Sequence, residues 1–145
     1  MEISVAIAGI GVGAEGHARA LTEVEDADLV AGSCRSKSKG EAFANEFDCR
    51  WYADTEAIVD AEDIDAVSVC TPSGTHADVV TKVAQAGVHV LCEKPLDVYA
   101  DRMDAMIEAC DDAGVTLAGV FQKRFDPAAR RAKEAIDNGV LGDLV

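Results

Sequence analysis

The segment Gly9-Ile10-Gly11-Val12-Gly13-Ala14 has the G-x-G-x-x-A spacing that can hold a dinucleotide pyrophosphate. Gly9 permits a tight turn, Gly11 lets backbone approach the phosphates, and the small Ala14 lets a helix pack closely on the preceding strand. The phosphates would lie at the start of that helix, where Val12 and Gly13 offer N–H groups and the dipole favours anions. A flavin or S-adenosylmethionine pocket competes with a nicotinamide site for this loop, and a glycine-rich turn without a ligand is the plainest alternative.

An NAD site carries Asp or Glu about 20 residues past such a loop, where it bonds the ribose 2′-hydroxyl. Here that place is taken by Cys34, and no carboxylate occurs from Leu29 to Gly40. The run Cys34-Arg35-Ser36-Lys37-Ser38-Lys39 instead gathers three of the chain's 13 basic residues. Arg35 can pair bidentately with a 2′-phosphate and Ser36 can add a hydrogen bond, so the expected cofactor is NADP, with NAD the second choice. A solvated loop at a helix start is the competing explanation.

These residues need a scaffold, and the apolar pattern supplies one. Strand-length apolar runs occur at Ile3 to Ala8, Leu29 to Ser33, Arg50 to Ala53, Ala66 to Cys70, Val88 to Cys92 and Val115 to Val120. The first is apolar without alternation after Ser4, the mark of a strand covered on both faces in a parallel sheet. Between the runs, Ala14, Ala18 and Leu21 fall on one helical face, as do Phe43 and Phe47 in a helix opening near Ser36. Val79, Val80, Val83 and Ala84 form another such face, and Met103, Met106, Ile107 and Cys110 a further one. A last helix opens at Asp126-Pro127, an N-cap with Pro after it, and ends at Asn138-Gly139. Six strands joined mostly by helices predict an α/β fold: a doubly wound, mostly parallel six-stranded Rossmann sheet in three layers.

Four motifs occur in order: Gly9-x-Gly11-x-x-Ala14-x-x-His17, Thr71-Pro72-Ser73-Gly74-Thr75-His76, Glu93-Lys94-Pro95, and Gln122-Lys123-Arg124-Phe125-Asp126-Pro127 with the helix running to Gly139-Val140-Leu141-Gly142. Together they resemble the Gfo/Idh/MocA family, named for glucose–fructose oxidoreductase, inositol dehydrogenase and a rhizopine-catabolism protein. All lie at strand C-termini, where a doubly wound sheet opens its ligand crevice. The resemblance implies that Thr71, Pro72 and Ser73 border the ribose and pyrophosphate, that Glu93 and Lys94 reach the nicotinamide, and that Lys94 helps proton transfer during hydride exchange. It implies an often-cis Lys-Pro bond and cofactor contacts from His76 and Gln122; Gln122 stands where the family often has Asn. His17 is read equally as a cap or packing residue and as a cofactor contact, whereas His89 is read as structural.

The resemblance divides the chain into a dinucleotide-binding domain, 1–121, and a connecting loop and helix, 122–145. A substrate domain, usually with an Asp-x-x-x-His pair, is expected to begin where the chain reads Gly142-Asp143-Leu144-Val145. His17, His76 and His89 offer no candidate for that histidine. The favoured reading is the cofactor-binding part of an oxidoreductase acting on the CH-OH group of a sugar, polyol or related small molecule, binding cofactor without turnover by itself. The parent is expected to be a homo-oligomer. A naturally short NADP-binding sensor or subunit is the alternative, and a structural partner that lost its ligand is a third class.

Composition narrows the partners. The chain has 145 residues, 27 acidic and 13 basic, and a formal net charge of -14. Such a surface repels nucleic-acid phosphates and anionic lipid, so neither is an expected partner. With 16 Asp, 11 Glu and 6 Lys, the chain reads as adapted to high salt or as an ordinary acidic protein. No apolar stretch approaches the roughly 20 residues of a membrane span. The absence of a basic leader at Met1-Glu2-Ile3 points to the cytoplasm. Five cysteines without a C-x-x-C pair predict reduced thiols and no metal site, with Cys70 and Cys92 as small core residues.

Overall fold

The computed structural model describes residues 3–142. Six strands and six helices alternate: β1 Ile3–Ala8, α1 Val12–Leu21, β2 Ala27–Ser33, α2 Lys37–Phe47, β3 Arg50–Tyr52, α3 Thr55–Ala61, β4 Ala66–Val69, α4 His76–Gln85, β5 His89–Cys92, α5 Ala100–Ala113, β6 Leu117–Gly119 and α6 Pro127–Asp137. The strands form one sheet in the order β3-β2-β1-β4-β5-β6. Every neighbouring pair is parallel, as the unbroken apolar runs demand. The chain order reverses between β1 and β4, which places the crevice of the doubly wound fold at their C-terminal ends.

Alternation along the strands sorts the core into two layers of side chains. On one face Ile7 packs with Ala14 and Ala18 of α1 and Phe43 of α2. On the other, Ala6, Ala8, Val67 and Val69 meet Ile58 of α3, Val80 and Val83 of α4, and Met106 and Cys110 of α5. Alanine is used where α1 must lie close: Ala14 and Ala18 are fully buried against β1.

The sequence placed the strands correctly and drew several too long. Ala53, Cys70, Val88, Val115 and Val120 lie outside the ladder, while β2 starts earlier, at Ala27, which pairs with Ile3. Val120 is held by one bond, its N–H donating to the Cys92 carbonyl at 2.8 Å. Helix α3 is the element that periodicity did not single out. Asp54 caps it, its carboxylate accepting the Ala57 N–H at 2.9 Å. Helix α6 opens as expected: Asp126 accepts the Ala128 N–H at 2.8 Å and Pro127 follows the cap. No residue of α6 is buried, and Phe121 and Phe125 before it are exposed. Residues 143–145, on which the expected start of a further domain falls, lie outside the described residues.

Candidate functional site

The glycine loop turns at the end of β1 exactly where β4 ends beside it. Gly9 has φ +91°, and a Cβ there would stand 2.7 Å from the Thr71 nitrogen and 2.8 Å from its Cα. Only glycine fits this crossing. Helix α1 then starts at Gly11 with no side chain capping it, so its first N–H groups stay available. Nothing lies within 4 Å of a Cβ built at Gly11 or Gly13, leaving space above the helix start for an anion. The Thr71 hydroxyl is buried and has no partner among the described residues.

A cleft of about 740 Å³ extends from this loop across the end of β2, within the range of small-molecule and cofactor sites. Gly9, Gly11, Cys34, Arg35, Ser36, Thr71 and Pro72 line it. Val12, Gly13 and Ala14 form the adjoining start of α1, and Ser73 begins the short 3-10 turn after Pro72. The turn carrying Cys34 is fixed from behind: Trp51 donates its indole N–H to the Cys34 carbonyl at 3.1 Å, and Cys34 N–H donates to the Tyr52 carbonyl at 3.2 Å. Trp51 lies flat on α2 because residue 40 is glycine; a Cβ there would fall 2.0 Å from the indole.

Charge in this cleft is arranged unevenly. Its acidic residues are occupied: Asp54 caps α3, Glu56 pairs with Lys82, and Asp78 pairs with Arg102 at 3.1 Å. Lys37 pairs with Glu41 at 3.6 Å. Among the described residues no carboxylate pairs with Arg35 or with Lys39, and both side chains are exposed at the cleft. Free cations beside spoken-for carboxylates suit an incoming phosphate. Open glycines, an uncapped helix start, an orphaned buried hydroxyl and free cations together fit a phosphorylated dinucleotide.

The second cluster follows β5. Glu93 accepts the Lys94 backbone N–H through Oε2 at 2.9 Å, while its Oε1 lies 3.1 Å from Nε2 of His17. Burial pushes the Glu93 carboxyl up, but the bonds from His17 and the Lys94 amide, with the charge of Lys94, outweigh it and hold it below the usual carboxylate range. Lys94 is exposed, and its bond to Pro95 is cis. Asp97, 1% exposed, secures the far side of this loop. Its Oδ2 accepts the Ala77 N–H at 3.1 Å, its Oδ1 the Val98 N–H at 2.7 Å, and Arg102 Nε lies 3.2 Å from both oxygens. Burial alone would raise its pKa; these donors reverse the shift and lower it. Cys92, ending β5, is a buried core thiol as expected, whereas Cys70, just after β4, is half-buried and lines the cleft; burial pushes them up to about 12 and about 11.

His76 has a different place from the expected cofactor contact. Its ring is 1% exposed. Nδ1 lies 3.0 Å from the Pro95 carbonyl and 3.1 Å from that of Leu96, and Nε2 lies 2.7 Å from the Thr71 carbonyl. Both nitrogens face backbone carbonyls, so His76 lies between the loop after β4 and the loop after β5. His17 likewise bonds within the protein, to Glu93 and Ser68. His89 is structural, its Nδ1 accepting the Thr116 N–H at 2.9 Å. Gln122 is exposed in the turn after β6 and makes no side-chain bond among the described residues. Trp51, Asp97 and Arg102 were missed by sequence reasoning: Trp51 reaches the Cys34 carbonyl 17 positions away, Asp97 the Ala77 amide 20 away and Arg102 the Gly74 carbonyl 28 away. Among the described residues no group of three or more His, Cys, Asp or Glu could hold a metal, and no helix is long and apolar enough to cross a membrane.

Known proteins resemble this chain in sequence and fold. The model of the Gfo/Idh/MocA oxidoreductase family, with its NAD-binding Rossmann fold, matches residues 3–121. Inositol 2-dehydrogenase of Rhizobium meliloti is 37% identical over 144 residues, covering 99% of this chain and 43% of the relative. D-xylose 1-dehydrogenase (NADP(+)) 2 of Haloferax volcanii is 40% identical over 130 residues, covering 89% of this chain and 39% of the relative. The crystal structure of the WlbA dehydrogenase from Bordetella pertussis in complex with NADH and UDP-GlcNAcA superposes with a TM-score of 0.94 at 30% identity, covering 97% of this chain and 41% of that one. Relatives thus use either nicotinamide dinucleotide, and the chain spans about two fifths of the length of the relatives it matches. The chain belongs to the Gfo/Idh/MocA oxidoreductase family as its NAD(P)-binding Rossmann domain.

Proposed function

We propose that this member of the family is the NADP(H)-binding domain of an oxidoreductase that transfers hydride at a CH-OH group of a sugar, polyol or related small molecule. The observation that carries the cofactor choice is Arg35: unpaired by any carboxylate among the described residues, next to Ser36, at the end of a strand that lacks the acidic residue an NAD site uses. Gly9, Gly11, Val12, Gly13 and Ala14 hold the pyrophosphate; Cys34, Arg35 and Ser36 hold the phosphorylated ribose. Thr71, Pro72 and Ser73 border the cleft between them. When bound, the nicotinamide supplies the hydride acceptor or donor. Lys94 exchanges a proton with the substrate oxygen, Glu93 keeps its backbone in place, and Gln122 reaches the cofactor from the turn after β6.

Substrate class rests on the relatives, whose names specify inositol and D-xylose dehydrogenation. Residues 122–145 serve as the connector toward a substrate domain, a reading supported by the share of the relatives that this chain spans. Turnover requires that domain, and the assembled parent is a cytoplasmic homo-oligomer. The acid-rich composition supports a salt-adapted protein, in which the melting temperature rises between dilute buffer and molar KCl. Equal melting temperatures would refute that adaptation.

Titration of the chain with each cofactor tests the main reading. NADPH is expected to bind at least about tenfold more tightly than NADH, on the order of 1.4 kcal/mol. Equal affinities sink the NADP assignment, and no binding of either sinks the cofactor-domain reading.

A further inference from the structure

Three side chains from three elements meet behind the loop that carries Lys94. Ser68 of β4 is 2% exposed and alternates with Val67 and Val69, so it faces the α1 side of the sheet. Its Oγ lies 2.7 Å from Nδ1 of His17, on α1. Nε2 of the same ring lies 3.1 Å from Oε1 of Glu93, and the other oxygen of Glu93 accepts the Lys94 N–H at 2.9 Å. The side chains of His17 and Glu93 are 14% and 21% exposed, so their bond is partly shielded from water.

The chemistry of these groups orients them. An ionised carboxylate only accepts, so Nε2 of His17 carries a hydrogen toward Glu93. In the neutral ring Nδ1 then accepts from the Ser68 hydroxyl. Glu93 thereby selects the Nε2–H tautomer, and the Ser68 hydroxyl, which can donate or accept, donates to the Nδ1 that this leaves bare.

We propose that His17 is a positioning residue for Lys94, acting through Glu93, which sets its tautomer, with Ser68 holding the other ring nitrogen. The assignment rests on Lys94 being the proton-transfer residue in the functional reading above. Its physical consequence is a fixed geometry between two halves of the site. The helix that opens at the pyrophosphate loop also anchors the peptide from which Lys94 projects. Cofactor position and proton-transfer group are thus referred to one rigid body.

The test uses the full chain without cofactor. Imidazole nitrogen NMR at about pH 8 is expected to show His17 protonated at Nε2 and bare at Nδ1. In His17→Leu the Lys94 amide should exchange its hydrogen about tenfold faster, the loss expected for a hydrogen bond to a charged group. The Glu93 carboxyl should also titrate closer to the ordinary carboxylate range. The amides of Val67 and Val90, in β4 and β5, serve as the control for an intact sheet. His17→Gln keeps a donor for Glu93 and should restore most of the Lys94 protection, which a purely packing role would not. Should His17→Leu fail to fold, Glu93→Gln replaces it: its amide can donate or accept, so His17 should populate both tautomers. An Nδ1–H tautomer in the parent, unchanged Lys94 exchange in His17→Leu, Gln no better than Leu, or an unchanged tautomer in Glu93→Gln would each overturn the proposal. NADPH titration of the parent chain reports on the functional reading separately, so either can fail alone.

Discussion

The two ends of the crevice are built by opposite means. At the nucleotide end, after β1 and β2, the shape comes from glycine and backbone: Gly9 crosses Thr71, Gly40 lets Trp51 lie on α2, and Arg35 and Lys39 stand free in the cleft. At the other end, around the loop after β5, the polar side chains of His17, Glu93, Ser68, His76, Asp97 and Arg102 all have protein partners. The first end is a mould whose charges wait for a ligand. The second is a brace that holds an exposed Lys94 without a ligand. Affinity should therefore be concentrated in a few free groups at one end, and rigidity in bonded groups at the other.

Substitutions can break this contrast, and the largest effect belongs to the brace. Asp97→Ala removes a buried carboxylate from two N–H donors and Arg102 and is expected to cost about 3 kcal/mol in denaturant unfolding. The same group sets a pH dependence. Its folded pKa lies below the ordinary value, so its contribution is present above the unfolded pKa of about 3.9 and is lost as pH falls below that toward the folded value. Asp97→Ala should remove that part of the acid loss. Next comes Gly9→Ala: the added Cβ meets Thr71 backbone at 2.7 Å in a left-handed conformation, so about 1–3 kcal/mol of stability should go, with NADPH binding lost along with it.

The remaining effects sharpen the contrast by separating binding from bracing. Arg35→Ala should cost about tenfold in NADPH affinity, leave NADH unchanged and leave the unfolding midpoint within error. A similar loss for both cofactors would mean that Arg35 reads something other than the 2′-phosphate. Lys94→Ala should have the smallest effect, changing NADPH affinity by less than about threefold, because its proposed work is on the substrate oxygen. A large fall in NADPH affinity would move Lys94 to the binding end.

The same division explains what was legible in the sequence. The mould could be read because its determinants are local: G-x-G-x-x-A after an apolar strand, and Cys34-Arg35-Ser36 in place of an acidic residue. The sheet and four of its helices followed from apolar patterning, and α6 from its cap signals at Asp126-Pro127 and Asn138-Gly139. Helix α3 carries Asp54 before Thr55-Glu56-Ala57, the N-cap signal that would have disclosed it. The brace was hidden because its bonds join residues far apart in sequence, 76 positions for His17 with Glu93 and 51 for Ser68 with His17. His76 shows the limit: the motif fixed its importance, but only its buried ring and carbonyl neighbours give its role.

One feature of the mould supplies its own instrument. The chain has a single tryptophan, and Trp51 is bonded to the carbonyl of Cys34, directly before Arg35. Its fluorescence is a built-in optical reporter of the turn proposed to discriminate the two cofactors. Occupancy of that turn can be followed without a label, from one chromophore whose signal has a single structural origin.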